Sequence, residues 1–216
     1  MIHTLIPPET PHAAPSPTAS AEMADIRVTQ IIGTFGGGGA ERLAYNLACA
    51  LHGRGVASCA IAIRQRGSFS DDGAAETLSL DVRSESLLEL LQAVRRLRRM
   101  LAQRGINVVH VHGSNALPLV ALAVRKMRPR PMLLFTWHDS RRVLAGQSWR
   151  NRLVRWALRR CDRVFGSSSD VADRLQRASG RPVEVFRNGV PELPALGEPD
   201  AEAATLIWAA RLAPLK

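Results

Sequence analysis

The stretch TFGGGGAER, Thr34 to Arg42, sets four consecutive glycines between an apolar run and a helix-like pattern. Each glycine costs roughly 0.5–1 kcal/mol relative to alanine inside regular structure, so such a run implies a special backbone path or a close neighbour. Amides at the positive end of a helix, with no side chains in the way, suit an anion such as a phosphate. Gly33 and Gly38 have the P-loop spacing, but Gly39 and Ala40 stand where Lys and Ser or Thr are required. Gly36 and Gly38 begin a dinucleotide fingerprint, yet Glu41 occupies its third glycine position. What survives both tests is a glycine loop joining a first strand to a first helix, a place where ligands approach backbone.

Two further groups of residues carry chemistry. His110 and His112 are two apart, so on a strand they share a face and could ligate a metal; no third ligand is evident, and no metal is expected. His138 and Asp139 follow an apolar run, MLLFTW, and strand ends in α/β sheets are where ligands bind. Arg141, Arg142, Arg150, Arg152, Arg155, Arg159, Arg160 and Arg163, against Asp162, give this segment a charge of +7. Trp149, Leu153, Trp156 and Ala157 recur along it at spacings of three and four. A basic helix with tryptophans can rest on anionic lipid, which makes Arg152, Arg155 and Arg159 candidates to face a membrane surface. The competing reading is a solvated arginine face on a core helix whose tryptophans pack inward.

The elements that must position these groups alternate between two periods, as in a parallel sheet covered by helices. IRVTQII, ASCAIAI, TLSLD, INVVHV, MLLFTW, DRVFGSS and PVEVF read as strands. Ala40, Leu43, Ala44, Leu47, Ala48 and Leu51 repeat at helical spacing, as do Leu87, Leu90, Leu91, Val94, Leu97 and Leu101. Further helices are predicted at about 116–128, 149–160 and 169–179. Residues 1–24 hold five of the 13 prolines and no apolar period, so a disordered tail is expected, with Met23 an alternative start. Residues 25–190 form the expected domain. A Pro- and acid-rich linker follows over 191–203, and a fresh strand over 204–216 reads as the beginning of a second domain.

Composition narrows the function classes. The 216 residues are ample for one α/β domain, and the 46% apolar fraction allows a real core. Net charge is +10, but only Lys126 and Lys216 among the 29 basic residues are lysines, a bias that does not by itself point to nucleic acid. No recognised nucleic-acid fold or aromatic interleaving supports that partner either. Cys49, Cys59 and Cys161 form neither a C-x-x-C pair nor an even disulfide set, which suits reduced thiols in a cytosolic protein. No apolar run reaches the roughly 18 residues that span a bilayer.

Six segments in register resemble the family-four retaining glycosyltransferases of the GT-B fold: IIGTFGGGGAERLAYNLACALHGRG, INVVHVHGSNALPLVALAVR, FTWHD, CDRVFGSSSDVADRLQR, PVEVFRNGVP and WAARLAPLK. The resemblance covers about residues 26–216 and implies a Rossmann-like parallel sheet with helices on both faces, the acceptor-side N-terminal half of a two-domain enzyme. Gly36, Gly37, Gly38 and Gly39 then match the family's glycine loop, against donor phosphates or acceptor. His138 matches the histidine that lines the reaction centre, hydrogen-bonding a sugar hydroxyl or the leaving oxygen. Asp139 orients it or caps a turn, and His112, Asp139 and Asn188 are placed on the acceptor side. Arg211 and Lys216 match the paired cations that neutralise the donor pyrophosphate, with Ala210 in place of the usual glycine. The implied reaction moves a sugar from a UDP- or GDP-sugar, without a further cofactor, to a glycan or lipid-linked acceptor with retention, in bacterial surface polysaccharide synthesis. A cytoplasmic location follows, peripheral at the inner membrane face. The chain ends before the family's nucleotide pocket and its spaced glutamates, so inactivity in isolation is expected. Two rivals remain: a non-catalytic module that holds acceptor or membrane, and a nucleotide-sugar epimerase of similar shape.

Overall fold

Among the described residues seven short strands, apolar in the middle of the sheet, pair into one sheet, and their order explains where the chemistry gathers. The computed structural model describes residues 25–36, 38–64, 75–139, 143–144, 146 and 148–189. The strands are β1 (Arg27–Ile32), β2 (Ala57–Ala62), β3 (Glu76–Ser79), β4 (Val108–His112), β5 (Met132–Trp137), β6 (Arg163–Gly166) and β7 (Glu184–Val185). Every pairing is parallel, in the order β3-β2-β1-β4-β5-β6-β7. The helices are α1 (Gly39–Gly53), α2 (Leu87–Gln103), α3 (Leu117–Val124), α4 (Trp149–Leu158) and α5 (Ser169–Ser179). Residues 1–24, Gly37, Arg141, Arg142, the expected linker at 191–203 and the expected strand at 204–216, with Arg211 and Lys216, lie outside the described residues.

The chain runs outward from β1 to β2 and β3, then returns through α2 to β4 and continues the other way. Right-handed crossovers therefore send the first helix and the later helices to opposite faces. The core divides accordingly. Ala44, Tyr45 and Ala48 of α1 pack with Ile32, Ala60 and Ala62 on one face. Ile31, Ile61, Val109, Val111, Leu133 and Phe135 point to the other, against Leu97, Leu101, Val120, Leu158 and Leu175 of the remaining helices.

Local chemistry sets the helix ends. Ser86, Ser148 and Ser168 each accept from an amide in the first turn of α2, α4 and α5, satisfying an orphan donor. Gly180 closes α5 in the left-handed conformation, at φ 67°. Pro118 lies in the first turn of α3, where a missing N–H breaks no helical bond. Asp162, at the foot of β6, accepts from Arg130 Nη1 and Nη2 at 2.7 and 2.9 Å and from the Leu133 amide at 2.7 Å, tying β6 to β5.

Candidate functional site

Chain direction changes between β1 and β4, so the loops leaving their carboxyl ends diverge and open a crevice between them. Three histidines meet there. His110 and His112 do share a strand face, as the spacing predicts, and both are buried, with ring centroids 4.1 Å apart. His138, just beyond β5, stacks on His112 at 5.3 Å and brings Nε2 within 3.0 Å of His112 Nδ1. The other nitrogen of His112, Nε2, lies 2.8 Å from Gln30 Oε1 on β1, and His110 Nε2 lies 2.7 Å from Thr136 Oγ1 on β5. Both ring nitrogens of His112 are thus engaged. Among the described residues no group of three or more His, Cys, Asp or Glu could hold a metal ion.

His138 Nδ1 is buried and has no hydrogen-bond partner among the described residues. Such an atom carries a desolvation penalty until a ligand or water satisfies it. Burial holds all three imidazoles below their ordinary titration range: His110 and His138 down to about 4, and His112 well below 6.5, with the neighbouring rings adding to the effect at His110 and His112. The cluster is neutral at physiological pH. Phe165 and Phe186 stand edge-on to His110 at 6.3 and 6.0 Å and close the far side.

The glycine loop has an occupant within the chain. Glu41, in the first turn of α1, reaches back to accept from the Gly38 amide at 2.8 Å and from the Thr34 hydroxyl at 2.7 Å. A Cβ on Gly38 would stand 3.0 Å from that carboxylate, and one on Gly36 would stand 2.9 Å from Thr34 Oγ1. The close neighbour is Glu41 for Gly38 and Thr34 for Gly36, whereas a Cβ on Gly39 would meet nothing within 4 Å. The Glu41 charge favours the positive helix end and removes one amide donor that a phosphate would need. Gly39, whose amide opens α1, remains solvent-facing.

Other expected site residues scatter. His112 reaches the crevice only through His138, because burial and its two bonds keep it off the surface. The Asp139 carbonyl accepts from Trp137 Nε1 at 2.7 Å, which holds the turn after β5. Asn188 is exposed, two residues past Phe186. Along α4 and its C-cap, Arg152 and Arg159 are exposed, whereas Arg155 is half-buried and donates to the Leu144 and Ala178 carbonyls at 3.2 and 3.4 Å. Together with Trp156 these arginines line an open cavity of about 680 Å³. Gln30, Thr136 and Glu41 were not singled out from sequence. The signal for Gln30 was legible: a glutamine inside an apolar strand must find a partner.

Comparison with known proteins places this geometry. The fold superposes on Anabaena Alr3699/HepE, crystallised with UDP and glucose, with TM-score 0.62 and 17% identity over 76% of this chain and 45% of that one. The lipopolysaccharide outer core galactosyltransferase WaaB, in its apo form, gives TM-score 0.62 and 13% identity over 82% of this chain and 50% of that one. A UDP-N-acetylglucosamine 2-epimerase from Rickettsia bellii gives TM-score 0.55 and 15% identity over 76% and 45%. The chain spans about half the length of these solved structures. A search of curated proteins gave no match. The sequence profile of Glycosyltransferase Family 4 matches residues 37–192, and with the Rossmann-like sheet this establishes that the chain belongs to Glycosyltransferase Family 4, as the N-terminal domain of a GT-B fold.

Proposed function

We propose that this chain is the acceptor-side half of a retaining glycosyltransferase that moves a sugar from a UDP- or GDP-sugar to a glycan or lipid-linked acceptor in surface polysaccharide synthesis. The observation that carries the reading is the unpartnered, buried Nδ1 of His138 at the switch-point crevice. Neutral at working pH, His138 meets a sugar through a hydrogen bond and not through positive charge. Leaving-group charge must then be offset elsewhere. Arg211 and Lys216 fill that role in this proposal, with Gly36 to Gly39 near the donor phosphates and Glu41 withdrawing from the loop or bonding a sugar hydroxyl in its place. Asp139 and Asn188, both exposed, contact acceptor in this proposal. An epimerase shares the fold but has no acceptor, so acceptor-dependent transfer separates the two.

The test is transfer of labelled sugar by the natural gene product that contains this domain, with and without His138→Ala. Loss of about 10²-fold in kcat is expected, in the range of one positioned hydrogen-bonding or proton-transfer group. An acid limb near pH 4, and none near 6.5, should mark the wild-type rate. Unchanged kcat in a folded variant overturns the role of His138.

A second reading concerns the surface. Leu87 and Leu88 open α2 at 73% and 68% exposure, and Trp149 opens α4 at 64%. Arg150, beside Trp149, bonds Glu85 at 3.0 Å, which joins the two helix starts. Leu91 and Leu153 are exposed further along these helices, as are Arg95 and Arg99 on α2, Arg152 on α4 and Arg159 just past it. Apolar side chains flanked by cations fit an anionic lipid surface, where a lipid-linked acceptor would reside.

A further inference from the structure

We infer that Gln30 is a positioning residue: through His112 it decides which nitrogen of His138 carries the proton, and so which ligand group His138 can meet. The argument follows the hydrogen bonds from β1 to the crevice. Gln30 is 1% exposed, and its Oε1, an acceptor only, lies 2.8 Å from His112 Nε2. His112 Nε2 must therefore carry a hydrogen. A neutral imidazole has one N–H, so His112 Nδ1 is left as an acceptor. The bond of 3.0 Å between His112 Nδ1 and His138 Nε2 then requires His138 to donate from Nε2. His138 Nδ1, buried and without a partner among the described residues, is left with a lone pair.

The consequence is chemical selectivity. A lone pair at Nδ1 accepts from a hydroxyl and repels an ionised phosphate oxygen, which has no hydrogen to give. Of the two roles open to His138, sugar hydroxyl or leaving oxygen, this relay selects the hydroxyl. Turning the Gln30 amide by half a rotation would reverse every donor in the row and select the phosphate. A leucine or methionine would fill the Gln30 site without the cost of a buried amide, so the glutamine has a polar task to perform. This consequence rests on His138 facing sugar, as proposed above; the proton arrangement itself does not.

The experiment is ¹⁵N NMR of the histidine-labelled chain at pH 7.5 without any sugar, using long-range ¹H–¹⁵N correlations that separate protonated from bare ring nitrogens. Single Nε2–H tautomers at both His112 and His138 are expected. In Gln30→Met the His112 Nε2–H loses its acceptor, and the His138 nitrogens should shift toward values averaged over two tautomers. A wild-type His138 protonated at Nδ1 overturns the inference, as does a folded Gln30→Met chain with unchanged His138 signals. Should Gln30→Met fail to fold, the wild-type spectrum alone decides. The expected tautomers combined with full transfer by His138→Ala would leave the relay standing and remove the sugar-facing role; the reverse tautomer combined with lost transfer would do the opposite.

Discussion

At His110 and His138, burial sets the protonation state and hence a dependence of stability on acid. Both stay neutral in the fold down to about pH 4, whereas an unfolded histidine titrates near 6.5. Between those values the unfolded chain binds protons that the native chain does not. Stability is therefore complete above about pH 6.5 and falls as pH drops toward 4. That separation corresponds to on the order of 3 kcal/mol per histidine. Urea midpoints should decrease from pH 7.5 to 4.5, and the decrease should shrink in His110→Gln, which keeps a bond to Thr136 without the titration. Equal slopes in both proteins would show that His110 is hydrated in the fold. The thiols follow the same physics: burial pushes Cys161 up to about 12 and raises Cys59, so neither is a nucleophile at neutral pH. Histidine spacing along INVVHVH was readable from sequence, but the approach of His138 from β5 and of Gln30 from β1 depends on which strands lie side by side.

Among the elements, β6 and α5 depend on one missing side chain. A Cβ on Gly166 would lie 2.5 Å from the Ala172 backbone nitrogen and 2.7 Å from its Cα, so glycine there lets α5 close onto the sheet. Backbone cannot yield as a flexible side chain can. Gly166→Ala should cost about 1–3 kcal/mol, read as a lower urea midpoint at constant m-value; an unchanged midpoint would mean that α5 shifts freely. Helix α4 shows how periodicity can mislead. Trp149 and Trp156 share a stripe in the sequence, yet Trp156 packs on the core under the Arg160 guanidinium at 3.9 Å while Trp149 faces solvent. Neither reading of the tryptophans covers both. Arg155 likewise clamps loop and helix carbonyls, so Arg155→Ala should destabilise the fold, whereas Arg152→Glu should not.

For the molecule as a whole, two surfaces lie at the carboxyl ends of the strands, where each following helix begins. One is the crevice at β1 and β4, and the other is the set of exposed apolar and arginine side chains at the starts of α2 and α4, on the face opposite α1. Sedimentation with phosphatidylglycerol vesicles should pull the protein down, and with phosphatidylcholine it should not. Leu88→Glu with Trp149→Glu should weaken that binding at least tenfold, and added salt should weaken it in the wild type. Binding that ignores both changes removes the membrane reading. No helix among the described residues is long and apolar enough to cross a membrane, so such contact would be peripheral at those helices.

The alternation of strands and helices, the parallel sheet and the glycine loop between β1 and α1 were legible from the amino acids alone, because periods of 2 and 3.6 and the glycine run are local properties. MLLFTW became β5 residue for residue. Expected helices at 116–128 and 149–160 shortened to Leu117–Val124 and Leu158 at their ends, where capping and turns compete with periodicity. What fills the glycine loop and what the histidines touch came only with the folded chain. Glu41 and Gly38 are near in sequence, but the return of that carboxylate requires the turn to be built; Gln30, His112 and His138 are separated by 82 and 26 positions and meet only across paired strands. Side-chain type signals that a buried polar residue needs a partner, and strand order alone supplies which one.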